Sequence, residues 1–148
     1  MGIAALVFWV ITALGGFVLL GTWIRNGGLK QQQSGATRFP APVIFGHFAL
    51  AAAGLVLWIV YVLVDSDALA WVAFVVLLPV AVLGFTMLLR WIPSYRARSA
   101  VVAGGAGDAA AEVPAERHMP VAVVVLHGLL AVVTVILVLL VALGVGNS

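Results

Sequence analysis

Four long apolar stretches separated by polar connections dominate the sequence pattern. None of the four contains Asp, Glu, Lys or Arg; they are Ile3–Ile24, Pro42–Val64, Leu69–Leu89 and Pro120–Leu143. About 20 consecutive apolar residues are enough for an α-helix to cross the hydrocarbon core of a bilayer. Because lipid offers the backbone no hydrogen-bond partners, a spanning segment satisfies its own polar groups as a helix. The pattern therefore predicts an all-α, polytopic membrane four-helix bundle with up-down-up-down topology.

The connections between these stretches differ in length and composition. Asp65-Ser66-Asp67 makes a short turn, which predicts that the second and third helices are antiparallel neighbours. The connection after the first helix is longer and polar. The segment from about Ser94 to Arg117 is rich in Ala and Gly and is predicted to be a flexible loop. Residues 1–148 are assigned to a single transmembrane domain.

The composition of the chain indicates a membrane protein, and the positions of its charged residues indicate an orientation in the membrane. Hydrophobic residues make up 65% of the chain and charged residues only 8%, whereas soluble domains carry about 25% charged residues. The first apolar stretch has no basic segment before it and no cleavage pattern after it, so it is predicted to be a retained helix. The Ala-, Val- and Gly-rich composition is typical of a bacterial protein, which predicts the cytoplasmic (inner) membrane.

The basic residues lie in or beside the two long loops, and the turn at Asp65 has none. The positive-inside rule therefore places both long loops in the cytoplasm and both termini outside. Tryptophans are common at membrane interfaces, so Trp23 and Trp91 are predicted to mark the cytoplasmic interface, and the other tryptophans the outer one. The basic residues are Arg25, Lys30, Arg38, Arg90, Arg96, Arg98 and Arg117; the outer tryptophans are Trp9, Trp58 and Trp71.

An internal repeat relates the two halves of the chain. His47 follows Pro40 at the same offset at which His127 follows Pro120, and a Leu and an Ala follow each histidine in register. The first and third stretches also align coarsely, each with a Gly, a Thr and an Arg near its end: Gly21, Thr22 and Arg25 in one, and Gly84, Thr86 and Arg90 in the other. The repeat predicts two helix hairpins related by an axis along the membrane normal. His47 and His127 are then at one depth, nearer the cytoplasmic side.

A histidine inside a membrane span is costly unless it is paired, so it indicates a function. Neutral imidazole is a common axial ligand of haem iron, and we expect His47 and His127 to hold one haem between facing helices. Hydrogen bonding between helices, binding of another metal and a proton path stay open as other uses of the pair. The candidate site is completed by glycines that admit a porphyrin, Gly15, Gly16 and Gly84, and by interfacial partners for its propionates, Arg38, Arg117 and His118.

A four-helix membrane bundle with one histidine on each of two helices resembles the small b-type membrane cytochromes. The resemblance covers the architecture and the positions of His47 and His127. It implies that the two imidazoles ligate one haem b, which carries single electrons, often to or from a quinone. Members with two haems have four intramembrane histidines, and this chain has two, so the resemblance implies one haem.

Other classes of function remain as alternatives. The chain shows no Ser-His-Asp arrangement, HExxH motif, P-loop or Rossmann glycine pattern, and it has no cysteine; a stand-alone enzyme is therefore not expected. The basic loops are too sparse for nucleic-acid binding. One alternative is an accessory or assembly subunit of a larger, respiratory-type membrane complex without its own cofactor. Another is a small transporter or proton path. The expected partners are the lipid bilayer, a quinone or larger membrane complex, and a second copy in a homo-oligomer.

Overall fold

The computed structural model describes residues 1–102 and 112–145, with backbone only for 98–102. The described chain is helical, and a short 3-10 turn, Ala115–His118, precedes the last helix. The helices are α1 (Gly2–Arg25), α2 (Gly28–Ser34), α3 (Ala41–Val64), α4 (Asp67–Val102) and α5 (Val121–Ala142).

Four of these helices, α1, α3, α4 and α5, are long and apolar enough to cross a membrane, which confirms the predicted four-helix membrane bundle. The four helices follow one another around the bundle in the order α1, α3, α4, α5. The most extensive contacts are those of α3 with α4, as the short turn predicted, and those of α1 with α5. The two predicted hairpins are α1 with α3 and α4 with α5. The helices of each hairpin therefore pack mainly against the other hairpin and less against each other.

The two ends of the bundle differ in structure. We call the end that carries α2, residues 26–40 and residues 112–120 the loop end. The opposite end, with Met1, the turn at Asp65 and residues 143–145, is called the terminal end. Asp65 ends α3 in the left-handed region, with φ 52°, and donates its backbone N–H to the carbonyl of Tyr61. The turn thus caps α3 directly before α4 begins.

The structure differs from the predicted flexible loop at both of its ends. Helix α4 continues to Val102, because Trp91 and Ser94 are buried against the loop end and favour a further helical extension. The segment before α5 is also packed, since Ala115 and Glu116 are fully buried. Residues 103–111, the middle of the predicted loop, lie outside the described residues.

Most of the tryptophans are buried within the bundle rather than placed at its surface. Trp9 and Trp58 are buried near the terminal end and Trp23 and Trp91 near the loop end, whereas Trp71 is 42% exposed. The prediction of interface anchors is wrong for these four side chains. The physical reason is that a large ring fills the space between helices while its N–H finds an acceptor; the indole of Trp58, for example, donates to a backbone carbonyl at 3.1 Å.

Buried residues form two clusters separated by a layer that has none. The terminal-end cluster contains Ala5, Trp9, Trp58, Tyr61, Ala70, Ala73, Leu77, Val80, Val138, Val141 and Ala142. The loop-end cluster contains Trp23, Phe39, Ile44, Trp91, Ala115 and Met119. Between the clusters no residue is buried in 13–22, 45–53, 81–90 or 121–133. These four ranges are called the middle layer, and both intramembrane histidines belong to it.

A buried carboxylate fastens the loop end. Glu116 is 0% exposed, and its oxygens accept hydrogen bonds from the Thr37 hydroxyl at 2.7 Å and the Arg38 backbone N–H at 2.7 Å. The Ser94 hydroxyl donates to the same carboxylate at 3.4 Å. Because Ser94 lies on α4, this one side chain ties α4 to the segment before α3 and the segment before α5.

A glutamine adds a second connection between the same two loop segments. The Gln31 side-chain amide donates to the carbonyl of Val113 at 2.8 Å and accepts from the N–H of Ala115 at 2.8 Å. The glutamine on α2 therefore pairs with the chain before α5 as a neighbouring strand would. Together with Glu116, it holds the loop end in one arrangement.

Replacing Glu116 is expected to destabilise the protein markedly. In Glu116→Ala the donors at Thr37 and Arg38 lose their buried acceptor, which costs about 1–3 kcal/mol or more. Thermal unfolding of the protein in detergent, followed by tryptophan emission, measures the change. Glu112→Ala is the control, because the hydrogen bond that Glu112 accepts from the Ser34 hydroxyl is exposed; equal effects of the two substitutions would contradict this account of the loop end.

Candidate functional site

Two histidines from facing helices meet in the middle layer. His47 lies on α3 and His127 on α5, and their ring centroids are 6.4 Å apart with the ring planes at 63°. Both side chains are partly buried. The structure thus brings the two residues together at one level, as the proline and histidine offsets of the repeat predict.

Each imidazole is held by a backbone carbonyl of a neighbouring helix. The Nδ1 of His47 lies 2.9 Å from the carbonyl oxygen of Val80 on α4, and the Nδ1 of His127 lies 2.9 Å from that of Thr12 on α1. A carbonyl oxygen only accepts, so Nδ1 carries the proton and donates in both rings. In the neutral imidazole the lone pair is then on Nε2. Metal-binding histidines are fixed in the same way, with the second ring nitrogen donating to a carbonyl or carboxylate.

Glycines on α1 and α4 face the imidazoles directly. A Cβ atom built on Gly16 would lie 3.2 Å from Cε1 of His127, and one on Gly84 would lie 3.1 Å from Cε1 of His47. A Cβ atom on Gly15 would lie 3.5 Å from the His127 ring. The three predicted glycines therefore lie beside the histidine pair. Their contacts, however, are with the imidazoles, so they allow the carbonyl-bearing helices to approach the rings.

These contacts show which residues of the two halves of the chain are equivalent, an alignment that we call the structural register. Thr12 and Val80 supply the equivalent carbonyls, and Gly16 and Gly84 face the equivalent rings, whereas the sequence comparison aligned Gly21 with Gly84. In the structural register α1 corresponds to α4 and α3 to α5. The same shift pairs several identical residues that the coarser alignment missed: Ala5 with Ala73, Ala13 with Ala81, Phe17 with Phe85, Trp23 with Trp91 and Ile24 with Ile92.

The three predicted propionate partners lie at the loop end. Arg38 is exposed, its backbone N–H donates to Glu116, and its carbonyl accepts from the Arg90 guanidinium at 3.1 Å. Arg117 is partly buried and His118 is exposed. The structure therefore places these three residues at the loop end, outside the middle layer, and bonds the backbone of Arg38 to Glu116. Arg90, the last residue of the middle layer on α4, reaches this end through its bond to the Arg38 carbonyl; the sequence reasoning had used it only for topology.

The donor set of the site limits what it can bind. Among residues 1–102 and 112–145 no group of three or more His, Cys, Asp or Glu side chains could hold a metal ion. A metal at the histidine pair would therefore receive its other ligands from outside the protein, as haem iron does from the porphyrin nitrogens. The two imidazole centroids are 6.4 Å apart with the ring planes at 63°, so both side chains lie close enough to contact one group bound at this level.

Comparison with protein-family models, with curated proteins and with solved structures finds no match to this chain. The argument for a function therefore depends on the geometry of the histidine pair and its surroundings.

A methyl group at Gly16 or Gly84 is expected to crowd the facing imidazole. In Gly16→Ala or Gly84→Ala the ring must shift by a few tenths of an ångström, which strains its bond to the carbonyl, and overpacking of this kind costs about 1–3 kcal/mol. Gly21→Ala is the matched control on α1, since its Cβ would meet no atom within 4 Å. A nitrogen-15 NMR spectrum of the histidines reports the Nδ1–H bonds: both site variants should weaken one bond each, and a spectrum unchanged in all three variants would refute the contact.

Proposed function

We propose that this protein binds one haem b between His47 and His127 and carries single electrons within the membrane. The observation that supports this most directly is the facing pair of imidazoles, whose Nδ1 atoms both donate to backbone carbonyls at 2.9 Å and whose ring centroids are 6.4 Å apart. Hydrogen bonding of each ring to its own neighbouring helix does not by itself require that the two rings also meet across the bundle.

The residues around the pair have separate roles in this proposal. The carbonyls of Thr12 and Val80 hold the imidazoles in one tautomer and raise the basicity of Nε2. Gly16 and Gly84 keep α1 and α4 close enough for those hydrogen bonds. When bound, haem supplies a one-electron couple whose potential depends on the axial ligands and on burial. The protein is then an electron-transfer component rather than a stand-alone enzyme.

The positions of the buried side chains along the bundle also support the binding of a flat group at the level of the two histidines. Helices α1, α3, α4 and α5 bury side chains above and below the histidines but none in the middle layer. His47 bonds to α4 and His127 to α1, so each ring is fixed within one closely packed helix pair. A group bound by both imidazoles would lie between the α3–α4 pair and the α1–α5 pair. The Arg38, Arg90 and Arg117 side chains at the loop end would supply positive charge for propionates that extend toward that end.

The proposed location is a bacterial inner membrane, with the loop end in the cytoplasm. The support is the charge distribution: all seven Lys and Arg residues lie at the loop-end ends of the spanning helices or in the loops between them, which is the pattern of cytoplasmic loops. The terminal end carries Asp65 and Asp67 and faces outward.

An absorption spectrum tests the proposed cofactor. Protein produced with an adequate haem supply should show a Soret band that shifts on reduction. His47→Ala and His127→Ala should each lose the low-spin spectrum, with haem affinity reduced by at least about tenfold, because each removes an axial ligand. His118→Ala is the control, since this third histidine is exposed at the loop end, and it should keep the spectrum.

A correctly folded protein that binds no haem under these conditions would refute the proposal. The histidine pair would then act only through its interhelical hydrogen bonds. Co-purification with a larger membrane complex that tolerates both histidine substitutions would instead favour the accessory-subunit alternative.

The orientation is tested with single cysteines, because the natural chain has none. Gln33→Cys is exposed at the loop end and Ala68→Cys is exposed at the terminal end. In intact spheroplasts a membrane-impermeant maleimide should label Ala68→Cys and leave Gln33→Cys unlabelled until the membrane is opened. The reverse labelling pattern would show that the loop end faces outward.

A further inference from the structure

The repeat gives two equivalent helix pairs in the middle layer, α1 with α3 and α4 with α5. We call the outer surface between the two helices of each pair a gap. In the first gap two aromatic rings close the surface: Phe17 on α1 and Phe48 on α3 meet with centroids 5.5 Å apart and planes at 72°. Such edge-to-face contacts are a favoured arrangement of aromatic rings. The ring of Phe48 therefore has a defined seat against Phe17, one residue beyond His47.

In the second gap the position equivalent to Phe48 carries no side chain, because the residue there is a glycine. Phe85 on α4 corresponds to Phe17 in the structural register, but the residue that corresponds to Phe48 is Gly128 on α5. A Cβ atom built on Gly128 would meet no atom within 4 Å, and Phe85 is 62% exposed. The position from which Phe48 extends in one half of the molecule thus carries no side chain in the other half, beside His127, and the space directly around it is open.

The equivalent position in the first gap indicates what this open seat accepts. There, the occupant is one flat six-membered ring, and it contacts the edge or face of a phenylalanine. The seat lies within the apolar stretches Leu69–Leu89 and Pro120–Leu143, which contain no Asp, Glu, Lys or Arg, so a charged molecule would be desolvated there at a high cost. The helix faces around it are directed to lipid, so the occupant arrives from the bilayer.

We propose that the seat formed by Phe85 and Gly128 binds the single flat, uncharged ring of a lipid-soluble molecule, at the level of the histidine pair. This site is derived from the asymmetry between Phe48 and Gly128, and it does not depend on the proposed haem. It places a ring from the bilayer beside His127 and leaves the His47 side covered by Phe48.

Photolabelling of the full-length protein in lipid nanodiscs tests the site. The probe is a phenyl azide that carries an alkyl chain, and the labelled residues are mapped by mass spectrometry. In the natural protein, labelling should concentrate on α4 and α5 around Phe85 and Gly128. An alkylbenzene or an alkylated benzoquinone should compete for it, whereas an alkane of the same chain length should not.

Paired substitutions distinguish specific binding of the probe at the seat from non-specific labelling of residues that face lipid. Gly128→Phe recreates the closed arrangement of Phe17 and Phe48 and should reduce this labelling at least about tenfold, the order expected when one aromatic contact and its seat are lost. Phe48→Gly should create a second labelled position beside Phe17. Phe85→Ala should weaken the labelling between α4 and α5, and its matched control Phe17→Ala should not.

Phe85→Ala keeps the test valid if Gly128→Phe fails to fold, which tryptophan emission would reveal. Labelling spread evenly over the lipid-facing surface of all four helices would overturn the proposal. So would labelling between α4 and α5 that is unchanged in Phe85→Ala. Cross-linking of this face to a second copy of the chain, in place of probe binding, would also overturn it and would identify the occupant as a protein side chain.

Discussion

An imidazole N–H inside a bilayer has no water to bond, and an unpaired polar group at that depth costs several kcal/mol. In this protein the two intramembrane histidines meet that constraint with backbone carbonyls of neighbouring helices, at Val80 and at Thr12. This choice of acceptor has structural consequences. The carbonyl of a helix is close to its axis, so the donor ring can reach it only where no side chain intervenes. The glycines at positions 16 and 84 meet this requirement, and the two hydrogen bonds lie within the helix pairs α3–α4 and α1–α5.

The same hydrogen bonds give the two nitrogens of each imidazole different roles. Nδ1 is used for structure, and Nε2 is left with its lone pair in the layer where the helices bury no side chains. Close packing is instead concentrated in the two clusters toward the ends, which contain four of the five tryptophans. At the loop end, hydrogen bonds of the Glu116 and Gln31 side chains connect segments that are distant in the sequence. The bundle is thus packed most closely above and below the histidines, and the two imidazoles are positioned between these clusters by their hydrogen bonds to backbone carbonyls.

Internal symmetry explains why two such rings occur, and departures from it distinguish the halves. The carbonyl, the glycine, the histidine and the buried tryptophan near the loop end are all present in both halves. Phe48 and Gly128 are the departure that alters the surface of the middle layer, since one covers a gap and the other leaves the equivalent gap open. A repeat that keeps its inner contacts while its outer positions diverge can hold one central group and still present two different faces to the bilayer.

The sequence by itself determined the number of spans, their approximate limits, the antiparallel packing of α3 with α4 and the common depth of His47 and His127. These properties follow from local length, turn residues and rise per residue, which require no knowledge of neighbouring helices. Tertiary structure decided the rest. In helices that are apolar on every side, hydrophobicity does not distinguish a face that meets another helix from one that meets lipid, because both environments are apolar. Three features depend on how each helix is rotated and aligned with its neighbours. These are the burial of Trp23 and Trp91, the equivalence of Gly16 and Gly84, and the choice of carbonyl that each imidazole binds. The packed loop end depends in the same way on Glu116 and Gln31, whose hydrogen-bond partners are far away in the chain and carry no local signal.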